Sequence, residues 1–311
     1  MAKRLKAFVR YDGSGRIVPS SVILAANKPK VGNWKEIDAN KCCNYAPPTN
    51  PFNFDITANW SLTTPSVVDE SSFRTFLESG EDGEGNINSL TDVVITDFSL
   101  VGNRLTCNLT ANTGFGDLYL SYMDITDITS FGNLQIIESL YLYGNNISSV
   151  DNTTWPIGVA NLDLSDNSII SVDNVTWPST INGYLALSAN LLTSVNDVIW
   201  PSSLQTLYVA NNSINSFNPS TPLPSGIISI YLSYNPLTYF HPNIPLPDSI
   251  NHLQLNNNQI TAVGYTASEP WANAMSVIPG RGNVYFNNNV DSVSGTNLET
   301  VLIAKGWAVT V

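Results

Sequence analysis

The side chains of this chain that could carry acid–base or nucleophilic chemistry are few and poorly spaced for it. Histidine occurs only at His241 and His252, and cysteine only at Cys42, Cys43 and Cys107. A general base or an activated nucleophile needs a partner group within hydrogen-bond reach, and neither histidine sits in a metal or nucleophile motif. The adjacent Cys42 and Cys43 lack metal-ligand spacing, and three cysteines cannot build a disulfide framework. Free thiols made in a reducing cytoplasm are therefore expected, with Cys107 a small core residue. Gly13-Ser14-Gly15-Arg16 belongs to a hairpin turn with no helix behind it, so it does not form a phosphate loop. Asp163 and Asp166 are close in sequence but have no partner constellation and read as solvated surface. The expectation is a chain that is not an enzyme and holds no cofactor and no metal.

What recurs instead is tyrosine on a repeating element. Blocks begin LYLSYMDI at Leu118, LYLYGNNI at Leu140, LDLSDNSI at Leu162 and LALSANLL at Leu185. They continue with LYVANNSI at Leu207, IYLSYNPL at Ile230, LQLNNNQI at Leu253 and a degenerate VYFNNNV at Val284. Successive starts differ by 22, 22, 23, 22, 23, 23 and 31 residues. Apolar residues alternating with polar ones read as short strands with one face inward. The residue between each pair of strand apolars then points outward: Tyr119, Tyr141, Asp163, Ala186, Tyr208, Tyr231, Gln254 and Tyr285. Tyr143 and Tyr184 lie on neighbouring columns, and His252 flanks a strand on the same side.

Such an aromatic column offers flat faces and hydroxyls at low entropic cost, which suits protein or glycan recognition. The alternative is that tyrosine covers the sheet through its β-propensity alone. Asn145, Asn167, Asn190, Asn212, Asn235 and Asn258 recur where each strand must turn. They are expected to be structural, since a buried amide can satisfy backbone groups of the adjacent unit. The return path carries Trp155-Pro156, Trp177-Pro178, Trp200-Pro201, Leu223-Pro224 and Leu246-Pro247. Proline removes a donor and fixes φ, so this side should be extended or 3₁₀ and not α-helical.

A period of 22 to 23 with the core L-x-L-x-x-N-x-[IL] is the leucine-rich-repeat signature. The expected fold class is therefore a leucine-rich-repeat solenoid: short repeats, a β-strand concave face, a Pro-containing non-helical convex side, and a small β-rich N-terminal arm. Residues 118 to 263, with Trp200-Pro201 leading into LQTLYVANNSI, resemble the short bacterial leucine-rich repeats that carry a proline before the strand. Some members of that group are effectors with a ligase domain, and no sizeable domain follows the repeats here.

Charge divides the chain. Net charge is -12, yet nine of the 13 Lys and Arg lie within the first 41 residues. An acidic body argues against nucleic-acid binding. Residues 1–45 are expected to form a basic anchoring arm carrying Arg4, Lys6, Arg10, Arg16, Lys28, Lys30 and Lys35, with a strand, a tight Asp12-Gly13 turn and a second strand. Residues 46–65 read as a linker, 66–113 as an N-terminal cap region, 114–290 as the repeats and 291–311 as a C-terminal cap. The cap regions should contain a helix around 66–79, two strands around Val101-Gly102-Asn103, and a helix over 296–305 followed by Gly306 and a last strand. The insert 264–283 either helps the cap or shapes a binding site. No apolar run is long enough to span a membrane and no signal peptide is legible at the start, so membrane insertion is not expected.

The arm VRYDGSGRIVPSSVILAANKPKVGNWKEI and the ending TNLETVLIAKGWAVTV resemble segments of structural and fibre proteins of crAss-like bacteriophages of Bacteroidetes. That resemblance implies a virion location after synthesis in the host bacterial cytoplasm. Head fibre, capsid decoration and tail fibre all fit it. Implied partners are other virion proteins through the arm, a host-surface protein or glycan on the exposed face, and further copies in a homo-oligomer. The alternative expectation is a bacterial surface leucine-rich-repeat adhesin.

Overall fold

The structure, a computed structural model, describes residues 6–10, 23–25, 34–37, 53–58, 60–63, 66–88, 90–113, 116–131, 133–134 and 137–311. The chain divides into two compact units, residues 1–50 and 51–311. In the first, β1 (Lys6–Arg10) pairs antiparallel with both β2 (Ile23–Ala25) and β3 (Trp34–Ile37). Lys6, Arg10 and Lys35 stand on these strands. Arg4, Arg16, Lys28, Lys30, the Asp12-Gly13 turn and the Cys42-Cys43 pair lie outside the described residues.

The second unit opens with a four-stranded antiparallel sheet of β4 (Asn53–Thr57), β5 (Thr91–Val101), β6 (Arg104–Thr113) and β8 (Asp127–Phe131), in the order β5-β6-β4-β8. The two-residue β9 (Asn133–Leu134) adds to it parallel to β6. Helix α1 (Glu70–Ser79) is started by Asp69, whose carboxylate accepts from the Ser72 amide at 2.8 Å while the Ser72 hydroxyl receives the Asp69 amide at 2.9 Å. This reciprocal cap satisfies two amides that the first turn leaves without partners. The helix buries Phe73, Phe76 and Leu77. Phe73 packs on Phe54 at 5.1 Å and edge-on to Trp60 at 5.7 Å between ring centres, giving this half an aromatic core.

The other sheet is parallel and has nine strands. It comprises β7 (Gly116–Tyr119), β10 (Ile137–Tyr141), β11 (Asn161–Asp163), β12 (Tyr184–Ala186), β13 (Thr206–Tyr208), β14 (Ser229–Tyr231), β15 (His252–Gln254), β16 (Gly282–Tyr285) and β17 (Trp307–Thr310). Each strand pairs with the next in sequence order, and the register places Leu118, Leu140, Leu162, Leu185, Leu207, Ile230, Leu253 and Val284 opposite one another. All eight are fully buried. At about 1.5–3 kcal/mol for each buried aliphatic side chain, this row is a main source of cohesion between units. Behind the turns Ile147, Val150, Ile169, Val172, Ile214 and Phe217 are buried as well. On the return side Trp155 stacks on Phe131 at 6.0 Å and on Trp177 at 5.9 Å.

The expected fold class, a leucine-rich-repeat solenoid with a non-helical convex side, is overturned by this architecture. The chain is α/β: a nine-stranded parallel sheet, a separate antiparallel sheet and three short helices among the described residues. Two features account for the difference. Residues 53–134 place most of their strands in the antiparallel sheet, outside the period read from the sequence. The insert then forms helix α2 (Ala262–Ala274), so the crossover from β15 to β16 is helical. Its Trp271 packs edge-on to Phe240 at 4.7 Å, its Tyr265 edge-on to Phe286 at 5.6 Å, and the Ser268 hydroxyl accepts from the Phe240 amide at 2.9 Å. Helix α3 (Asn297–Ala304), capped by Thr296, leads through Gly306 into β17. No helix among the described residues is long and apolar enough to cross a membrane.

One edge of the parallel sheet is closed by side chains. Asn88, fully buried, donates to the Tyr119 carbonyl at 3.2 Å and accepts from the Tyr119 amide at 2.6 Å, in the manner of a neighbouring strand. Asp82 accepts from the Ser121 amide at 3.0 Å. The loop that ends α1 thereby covers backbone groups of β7 that would otherwise be an open edge.

Candidate binding face

Because strand residues alternate, burying the leucine row forces the intervening residues onto the opposite face. Tyr119, Tyr141, Tyr208, Tyr231 and Tyr285 share one column there, half-buried and in register across the sheet. Tyr184 and His252 stand on the column before it, and Tyr143 on the column after it. Asp163 and Ala186 interrupt the main column.

The structure brings all eight expected residues into ring contacts. Tyr119 and Tyr141 are stacked at 4.8 Å with planes 4° apart, and Tyr208 and Tyr231 at 4.4 Å with planes 22° apart. Tyr184 meets Tyr208 edge-on at 6.1 Å. His252 lies between Tyr231 at 4.9 Å and Tyr285 at 5.1 Å. Tyr143 meets Tyr122 edge-on at 4.8 Å, a contact made by a tyrosine outside the alternating column. Stacking at these distances covers one π-face each of Tyr119, Tyr141, Tyr208 and Tyr231.

No protein-family model matches this chain, and no curated protein matches it.

Burial disfavours charge at several members of the row. Burial, with the Asp117 carboxylate accepting from the hydroxyl at 3.0 Å, pushes the Tyr119 phenol up to about 12. Burial likewise raises Tyr143, with help from Glu84 and Tyr122, and raises Tyr184, with help from Tyr141 and Asp163. Tyr231 is raised by burial and by Tyr208 beside it. Burial raises the Asp163 carboxyl as well, partly offset by the Ser165 amide donating to it at 2.9 Å. His252 is lowered by burial, and its Nε2 has no hydrogen-bond partner among the described residues. Desolvation disfavours whichever form is charged, so it raises phenols and carboxyls and lowers imidazole. The resulting surface is predominantly aromatic, with the Asp163 carboxyl set into its main column.

The remaining chemistry-bearing residues are scattered. His241 is tied through Nδ1 to the Ala267 carbonyl at 2.8 Å and so fastens α2 to the body. Cys107 is a free, buried thiol whose pKa burial raises to about 12. Arg281 is buried, bridging Asp248 at 3.0 Å and the Ser276 carbonyl at 3.1 Å. Among the described residues no three His, Cys, Asp or Glu side chains gather to hold a metal.

The asparagine column binds backbone. Asn190 accepts from the Ile169 amide at 3.0 Å and donates to the carbonyls of Leu164, Leu187 and Ser188. Asn145, Asn167, Asn212, Asn235 and Asn258 repeat the pattern. Sequence reasoning missed one member: Asn289 receives the Asn258 amide at 3.1 Å and donates to the Leu255 and Phe286 carbonyls. The Asn-Asn-Asn run at the degenerate last block was the available signal.

Proposed function

We propose that this chain is a non-enzymatic display protein of a virion, which presents the tyrosine face of its parallel sheet to a protein on the host surface. The observation that carries the reading is the row of seven tyrosines and His252, aligned across successive strands and held in fixed ring contacts. A rigid aromatic row loses little entropy on binding, and edges with hydroxyls match the backbone groups and side chains of a protein surface. A glycan that stacked on ring faces would find one face each of Tyr119, Tyr141, Tyr208 and Tyr231 already covered. The basic first 41 residues support a docking role for the arm on other virion proteins, and the resemblance of the two chain ends to crAss-like phage structural proteins supports the virion as the place.

The test has two arms. Tyr208→Phe with Tyr231→Phe keeps the stack and deletes the hydroxyls; adsorption of the full chain to host cells should fall about tenfold, matching about 1.4 kcal/mol. Deleting residues 1–45 should abolish incorporation into particles while leaving cell adsorption intact. Unchanged adsorption by the double variant sinks the face, and unchanged incorporation of the deletion sinks the arm.

A further inference from the structure

Just past the strand ends of the parallel sheet, each unit turns through a residue in the left-handed region. Gly144, Asp166, Ala189, Asn211, Tyr234, Asn257 and Asn288, with φ between 53° and 68°, each precede one member of the asparagine column. Gly, Asn and Asp are the residues that adopt this conformation at low cost. Gly144 is also required sterically, since a Cβ there would lie 2.4 Å from the Tyr122 ring. A bulky aromatic is the least expected occupant, yet Tyr234 holds φ 56° and is 59% exposed; Tyr122 holds φ 50° at the same place in the first block, but there it packs edge-on to Tyr143. Left-handed backbone costs an ordinary L residue about 1–2 kcal/mol, so Tyr234 stands there against folding. No ring packs on it among the described residues, in contrast with Tyr231 three positions earlier.

Tyr234 borders a broad, shallow and open depression of about 490 Å³. Its walls are amides: Asn211, Asn257, Asn288 and Gln259 meet around the tyrosine, and no charged side chain lines it. The side chains of these four make no hydrogen bond among the described residues, whereas Asn212, Asn235 and Asn258 beneath them are consumed by backbone. Four idle amides, each able to donate and accept, and one open aromatic face converge on a single hollow.

We propose that this hollow is a binding site for a neutral saccharide, with Tyr234 as the platform under the sugar ring and Asn211, Asn257, Gln259 and Asn288 as hydrogen-bonding walls. Sugar hydroxyls donate and accept in equal measure, which amides match and carboxylates or ammonium groups do not. One face of a pyranose is a patch of C–H bonds that an exposed phenol ring can cover. Anionic sugars are disfavoured, since the lining has no cation and the chain carries a net charge of -12. The site lies beyond the strand ends, and it stands or falls independently of the sheet face.

The test uses the full chain and four neutral trisaccharides, mannotriose, cellotriose, chitotriose and maltotriose, read by saturation-transfer NMR at millimolar sugar. At least one should receive saturation. Tyr234→Asn relieves the backbone while removing the platform, so it should keep or raise Tm and weaken that sugar at least about tenfold. Tyr208→Phe with Tyr231→Phe should leave sugar binding unchanged. Silence from all four sugars, binding that survives Tyr234→Asn, or equal loss in the sheet-face variant would each overturn the proposal.

Discussion

The asparagine column inside the turns and the tyrosine row on the sheet face run side by side at the same period, yet they do opposite things. The asparagines are buried or nearly so, and each serves backbone groups of two successive units. Asn167, for example, receives the Ile147 amide and donates to the carbonyls of Leu142 and Leu164. The tyrosines are half-buried and touch mainly one another. A regular spacing is therefore no guide to role. What separates the two columns is whether a side chain's hydrogen bonds go to the backbone of neighbouring units or, as with Tyr119 and Asp117, to side chains of the same face.

Substitutions can widen or collapse that contrast. The largest effect is expected from Asn190→Ala, which strands the Ile169 amide in a buried turn and takes one of two donors from each of the Leu164, Leu187 and Ser188 carbonyls. One unsatisfied buried amide costs about 1–3 kcal/mol and the lost second bonds add less, so a loss of about 2–4 kcal/mol in urea unfolding is expected, and a loss under about 1 kcal/mol would place the column with the tyrosines. Tyr208→Ala with Tyr231→Ala should cost less. Removing a stacked pair forfeits about 0.5–1.5 kcal/mol beyond area, and a Tm drop as large as that of Asn190→Ala would make the row structural.

The smallest effect is a pH dependence from His252. Its folded pKa lies below the ordinary 6.5, so below that pH the unfolded chain takes up a proton that the folded chain resists. Stability should decline as pH falls through that value, and His252→Phe should flatten the decline. A slope unaltered by the substitution would remove His252 from the account.

The strands of the parallel sheet were legible because burial of Leu-x-Leu pairs imposes a period of two that local composition preserves. The tyrosine column followed from the same alternation. Ring orientation did not, since a side chain's rotamer is fixed by its neighbours across strands and not by its own sequence. Helix α2 was hidden by Gly264 and Pro270, both poor helix residues. Its signal was the Thr261 cap with buried Tyr265, Ser268, Trp271 and Ala272 at helical spacing. The fold class was misjudged because the repeat describes how units between residues 118 and 263 follow one another and is silent on the antiparallel sheet. Tyr234 was overlooked because its oddity lies in φ; its one trace in sequence is an aromatic where sister turns mostly place Asn, Asp or Gly.

The amide clasp at every turn also has a mechanical consequence. Each asparagine fastens its own unit to the one before it, so a pull applied between the two ends of the parallel sheet loads the clasps in series. No single clasp bears the whole extension, and the first to open unfastens one unit of backbone while its neighbours still hold. Under such a pull the units should give way in successive small steps, each absorbing work, and a single-step rupture in a force-extension trace would show that the clasps do not act one by one.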